Sequence, residues 1–325
     1  MPRRTTLVLL LPVWGGLIVF TALGQPLQGL LVALGGYIVL FGGGRPLRPR
    51  LRAYALAAVG LLTAVAVGMV VAGSSLLILA GYLATAFVAV FLKRWLDPGP
   101  PGAYFFVLMM GAGTLLSGSG IGVPLTLAYI ALGSLLAMLV GALDAVLTRP
   151  GPPPLPRPAP FPDRVVLVRI CLAVTAAMTA SWLLADRHPF WTVLVVVLVL
   201  SYPGDTGQLT VRALSRLLGT AVGVLVFLPL SGLHLGTAGF VAALCVLLWF
   251  VARWTARNYL IGSVLITVLA LFMSVPLMPA EPPVQLAIDR GVDTLIAGVI
   301  AFAALWLFPF RARRAQPPTP PAATP

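Results

Sequence analysis

The sequence predicts an all-α polytopic membrane protein of about twelve transmembrane helices, arranged as two parallel six-helix repeats. Three observations lead there. Of 325 residues, 60% are hydrophobic and 9% charged, with a mean hydropathy of +1.04, more apolar content than one soluble core encloses. The apolar residues fall in runs of roughly 17 to 25, long enough to cross a hydrocarbon layer about 30 Å thick as helices. Short similar segments also recur at matching places in the two halves. Period-2 alternation is weak, which argues against a barrel.

Apolar runs and their Gly, Pro and Arg breakers place helices near 7–23, 27–42, 53–72, 75–92, 103–117, 121–147, 165–185, 189–202, 210–230, 234–252, 258–275 and 287–309. The first run follows Arg3 and Arg4 and ends near Ala22 and Gly24, so it imitates a secretory signal. Further spans follow at once, and a retained first helix is the simpler expectation. Residues 149–163, RPGPPPLPRPAPFPD, form a Pro-rich cytoplasmic linker, because Pro removes backbone donors and fixes φ. That linker divides a first membrane module, 1–148, from a second, 164–310, and a disordered cytoplasmic tail occupies 311–325.

The modules read as copies. Arg52-Ala53 and Arg212-Ala213 open the third helix of each, Phe91-Leu-Lys-Arg-Trp95 parallels Phe250-Val-Ala-Arg-Trp254, and Gln25-Pro26 sits where His188-Pro189 sits. Six spans per copy insert both in the same direction, giving a pseudo-twofold axis along the membrane normal and a pathway at the interface.

A net charge of +13 would suggest nucleic acid in a soluble domain. Here the basic residues lie in short loops between apolar spans, so they report topology and no nucleic-acid partner is expected. With the N-terminus inside, only Arg187 and Arg290 of the 21 basic residues fall on the outer side, which places both termini in the cytoplasm.

Polar residues near span ends are the candidate site. Asp186, Arg187, His188 and Trp191 cluster at the outer end of helices 7 and 8. As an interfacial loop they are wet charges, with Trp182 and Trp191 as belt anchors. As an outer vestibule, Arg187 attracts an anion, Trp191 offers a flat face to an aromatic group and His188 titrates near neutral pH. Asp289, Arg290 and Asp293 open the last helix, spaced to occupy neighbouring positions of one face. They make either a surface ion pair or, with Asp293 one turn deeper, a proton carrier beside the anion contact Arg290. Arg212 and Arg216 share a face with Gly219 and Gly223, whose spacing lets helix backbones approach. Either these arginines snorkel to the cytoplasmic surface or they form an inner anion gate with Asn258 and Tyr259 as neighbouring contacts.

Cys171 and Cys245 lie within apolar spans and read as small buried hydrophobes. The FGGGR run at 41–45 lacks the Lys-Ser/Thr of a phosphate-binding loop and is a plain loop. No Ser-His-Asp order, HExxH or paired-Cys motif occurs, so no enzyme, metal or cofactor is expected.

His188-Pro-Phe-Trp191, Arg212-Ala-Leu-Ser-Arg-Leu-Leu-Gly-Thr220, Arg257-Asn-Tyr259 and Arg290-Gly-Val-Asp-Thr294 together resemble the ordered signposts of the fusaric acid resistance protein-like (FUSC) family, which includes aromatic acid exporters. The resemblance is best from about 165 to 310; Pro100-Pro-Gly-Ala-Tyr104 and the Arg-rich loop after helix 2 are similar more loosely. It implies a six-helix module, used twice, that moves organic anions outward across a bacterial inner membrane. The chain also resembles plant malate channels, whose similar modules pair as dimers, and that resemblance implies a homo-oligomer.

The expected function is therefore export of small organic anions, aromatic carboxylates foremost, driven by the proton gradient or the membrane potential. In it Arg212 and Arg216 recruit the anion, Arg290 and Arg187 guide its exit and Asp293 couples protons. A passive anion channel and a membrane scaffold without transport are the alternatives.

Overall fold

The computed structural model describes residues 3–96, 102, 104–148, 164–184, 189–202, 204–233, 235–255, 257–278 and 281–308. Arg187 and His188, the expected linker 149–163 and the expected tail 311–325 lie outside the described residues. The described chain is all-helical: α1 Arg3–Ala22, α2 Pro26–Gly36, α3 Leu47–Val71, α4 Ser75–Leu96, α5 Tyr104–Leu116, α6 Val123–Thr148, α7 Arg164–Leu183, α8 Pro189–Leu200, α9 Thr206–Ser231, α10 Thr237–Trp254, α11 Tyr259–Leu277 and α12 Pro283–Leu307. A 3₁₀ turn, Tyr37–Phe41, extends α2.

All twelve expected helices are present. The starts of α3, α9 and α12 fall several residues earlier than the apolar runs suggest, because the polar residues there are helical too. Asp205 explains this at α9: its side chain accepts from the Gln208 N–H at 2.8 Å, and the Gln208 side chain accepts from the Asp205 N–H at 3.3 Å. This reciprocal capping box satisfies two donors at the helix start.

Seven helices, α3, α6, α7, α9, α10, α11 and α12, are long and apolar enough to cross a membrane, so the chain is a multi-pass membrane protein. The shorter α2, α5 and α8 sit inside the bundle. Every residue of α8 from Phe190 to Leu200 is buried, as is α2 from Gly29 to Gly36. A helix that is apolar all round is a core helix, and one shielded by neighbours need not match the lipid thickness. The outer helices show the opposite polarity to a soluble protein. On α12, Val284, Ile288, Val292, Leu295 and Val299 are exposed, while Arg290, Asp293 and Thr294 are buried.

Packing follows one scheme. Helix α1 lies on α2, α2 on α6, and α3 on α5 and α6; likewise α7 lies on α8, α8 on α12, and α9 on α11 and α12. Between these groups, α4 packs on α7, α1 on α10 and α5 on α8.

Glycines make the tightest crossings. A Cβ added at Gly219 would stand 2.5 Å from the Ser263 Cβ, and one at Gly223 2.7 Å from the Thr267 Cβ. The expected small-xxx-small seam therefore exists, and its partner is α11. Gly219→Val should destabilise the protein by about 1–3 kcal/mol through overpacking. Thermal unfolding in detergent checks this, with Gly291→Ala, where a Cβ meets open space, as the neutral control.

Three expectations change on folding. Asp144, late in α6, accepts from Arg50 at 2.8 Å, and Arg50, 2% exposed, also donates to the carbonyls of Gly141 and Arg45. Arg50 is thus drawn into α3 rather than left in a loop, because the pair satisfies both charges away from water. Cys171 and Cys245 are half-buried free thiols, not fully buried ones. Trp191 is 7% exposed rather than an outward belt residue, whereas Trp182, 73% exposed, fits the belt.

Candidate arginine-lined site

Helices α9 and α11 run parallel and in register. Arg216 donates to the Ser263 hydroxyl at 3.3 Å, and one turn on the Thr267 hydroxyl donates to Thr220 at 3.4 Å. Both pairs are separated by 47 residues in sequence. The same offset puts Arg212 against Tyr259, and the guanidinium carbon of Arg212 lies 3.9 Å from the centre of that ring. Three rungs therefore climb the α9–α11 seam: Arg212–Tyr259, Arg216–Ser263 and Thr220–Thr267. Spacing of four residues separates successive rungs by about 6 Å.

The second wall is α8 with α12. The guanidinium of Arg290 stacks on Trp191, 3.9 Å from the ring centre, and Trp191 in turn packs on Phe190 at 4.4 Å between centroids. Just past the other end of α8, Tyr202 places its ring 3.9 Å from the Arg212 guanidinium carbon. Eleven residues of helix and turn separate Trp191 from Tyr202, so the Arg290 and Arg212 stacks stand about 16 Å apart along the bundle. Arg216 lies between them, near enough to Arg290 for the two charges to act on each other.

The electrostatics are lopsided. Arg216 and Arg290 are 2% and 1% exposed, and Asp293, the only carboxylate among their buried neighbours on α12, is 2% exposed. Asp293 acts on Arg290 with the opposite sign to Arg216. Two guanidinium groups face one carboxylate, so the described site carries excess positive charge. Nε and Nη1 of Arg290 and Nε of Arg216 are buried with no hydrogen-bond partner. A buried N–H is costly to leave unpaired. Cation–π contact recovers part of this, about 0.5–2 kcal/mol per ring, but a ring face does not satisfy in-plane N–H donors. An anion does.

The structure thus brings together Trp191, Arg212, Arg216, Tyr259, Arg290 and Asp293. Arg290 and Asp293 are buried one turn apart on the inner face of α12, not at the surface as an exposed pair would be, and Asp289 is half-buried, accepting from Gln285 at 2.6 Å. Asn258 is engaged structurally, because its side-chain oxygen caps α11, accepting from Leu260 and Ile261 N–H at 2.9 and 3.2 Å. Its amide nitrogen remains for other contacts.

The sequence reading missed Ser263, Thr267, Tyr202 and Tyr104. Ser263 and Thr267 follow Tyr259 at four-residue steps, a polar stripe in an apolar helix that marks a facing partner. Tyr104 opens α5, a helix of the first six that packs on α8 beside the cluster. Arg169, 2% exposed, donates to the Leu200 carbonyl at 3.3 Å and steadies the C-terminal end of α8. A cavity of about 380 Å³ lies elsewhere, among apolar residues of α1, α2, α10 and α11 such as Leu17, Leu30, Phe240 and Met273.

Residues 175–304 match the family model described as fusaric acid resistance protein-like. The matched segment contains the whole α8–α9–α11–α12 site. No curated protein and no solved structure matches the chain.

Proposed function

We propose that this membrane protein, which carries a fusaric acid resistance protein-like domain over residues 175–304, exports small organic anions, aromatic carboxylates in particular, across a bacterial inner membrane. The observation that carries the reading is the pair Arg216 and Arg290, buried to 2% and 1% exposure with N–H donors that have no partner. A cation in a membrane interior faces a partner or a wet cavity, and a carboxylate supplies the in-plane acceptors these groups lack. Trp191, stacked on the Arg290 guanidinium and packed on Phe190, gives a substrate held at Arg290 an apolar aromatic neighbour.

In this reading the anion meets Arg212 at the cytoplasmic end, passes to Arg216 and then to Arg290, and leaves past Arg187 and His188. An inside-negative potential favours its exit by about 2.3 kcal/mol per charge per 100 mV. Asp293, one turn from Arg290, is the group placed to couple proton entry to that step. Both termini lie in the cytoplasm, and the twelve helices span as two six-helix repeats. The matching packing schemes of α1–α6 and α7–α12 support the repeat, as does the reciprocal placing of α4 on α7 and α10 on α1. Those features also support a pseudo-twofold axis along the membrane normal.

The test is efflux of a panel of aromatic and aliphatic carboxylates from proteoliposomes at clamped voltage, with and without a pH gradient. Gradient-dependent flux of aromatic acids, lost in Asp293→Asn, is the expected result. Gradient-independent current that survives Asp293→Asn makes the protein a passive channel. No flux above protein-free vesicles from folded protein overturns the reading in favour of a scaffold.

A further inference from the structure

We propose that Tyr202, Arg212 and Tyr259 form a closed gate at the inner end of the arginine ladder. This rests on the anion-export reading for its purpose, though its geometry stands apart from any substrate. The Arg212 guanidinium carbon is 3.9 Å from both tyrosine ring centres, van der Waals contact in each case, so no water separates the cation from either ring. The three groups come from three segments: the α8–α9 turn, the second turn of α9 and the first residue of α11. Their meeting closes the space between those segments.

What lies beyond the contact is sealed. Ser263 and Thr267 are 0% exposed, Thr220 1% and Arg216 2%. Arg212 and Tyr202 are more open: Arg212 is half-buried and Tyr202 is 47% exposed. The boundary between accessible and inaccessible polar groups therefore falls at the Tyr–Arg–Tyr contact. Among the described residues Arg212 is held by ring faces and not by a carboxylate, in contrast to the ion pair Arg50–Asp144. Its Nε is buried with no hydrogen-bond partner. A cation secured only by π faces keeps its in-plane donors for an arriving anion, and pairing with that anion draws the guanidinium from between the rings. Gate opening and substrate recognition are thus one event at one side chain.

The experiment uses the full chain in nanodiscs, with Cys171→Ser and Cys245→Ser to remove its own thiols. Ser263→Cys, one rung beyond the gate, is modified with a membrane-impermeant methanethiosulfonate. Modification should be slow, at least tenfold faster in Tyr202→Leu/Tyr259→Leu, and slow again in Tyr202→Phe/Tyr259→Phe, where the ring faces remain. Because Ser263 contacts Arg216, Thr220→Cys serves as a second reporter with the same expected order. Benzoate as the probe anion should accelerate modification of the parent and leave Tyr202→Leu/Tyr259→Leu unchanged. Equal rates in the parent and the Leu variant at both reporters would overturn the gate, even where carboxylate flux is intact. Ring-dependent access without flux would leave the gate standing and contradict the export reading instead.

Discussion

Arg290→Gln should lower carboxylate efflux by roughly two to three orders of magnitude in folded protein. Arg290 is 1% exposed, stacks on Trp191 at 3.9 Å and leaves two donors unpaired. Removing one member of a buried, hydrogen-bonded charge pair costs about 2–5 kcal/mol, and every 1.4 kcal/mol is about tenfold. Gln keeps length and polarity but loses the cation and the planar fork that suits a carboxylate. The substitution also leaves Asp293 beside a weaker positive field, which destabilises the fold on its own account. The double variant Arg290→Gln/Asp293→Asn removes that complication, because both buried charges go together. It should recover thermal stability without recovering efflux. Recovery of both would assign Arg290 to structure alone.

Gly133→Val should remove most folded protein. At the crossing of α2 and α6, a Cβ on Gly133 would collide with the Val32 carbonyl, and one on Gly35 with the Ile130 carbonyl. The obstructing atoms are main chain of neighbouring helices, so no rotamer change relieves them. Separating the helices forfeits the contacts of a buried α2 and moves Ser134, whose hydroxyl donates to the Gly35 and Ile130 carbonyls. Overpacking of this kind costs about 3 kcal/mol or more, a large share of the stability of an ordinary domain. Size-exclusion chromatography after a temperature series reads the outcome. Gly15→Ala, on α1 with open space around its Cβ, should behave as the parent.

Much of this architecture is legible in the sequence because membrane helices announce themselves by length and composition. All twelve helices follow from the apolar runs and their breakers. The two helix seams follow from spacing: Gly219 and Gly223 mark the face of α9 that also bears Arg216, and Arg290 with Asp293 marks the inner face of α12. What spacing does not give is the partner. Nothing local says that Arg216 meets Ser263, or that Arg290 meets Trp191, since these pairs join helices distant in sequence. Trp191 shows the limit well. Beside a charged loop, a tryptophan reads as an interfacial anchor, and only the enclosure of α8 by α5, α7, α9 and α12 makes it a buried stacking partner. Arg50 is the converse, a loop arginine by sequence that an aspartate on α6 pulls into the bundle.

Whether Arg216 and Arg290 together hold an anion is decided by equilibrium binding of radiolabelled benzoate to the full chain in nanodiscs, parent against Arg216→Gln/Arg290→Gln. Saturable binding to the parent and none to the variant, with both proteins monodisperse, is the expected result. Saturable binding of equal affinity in the variant would rule out the arginine pair as the anion site.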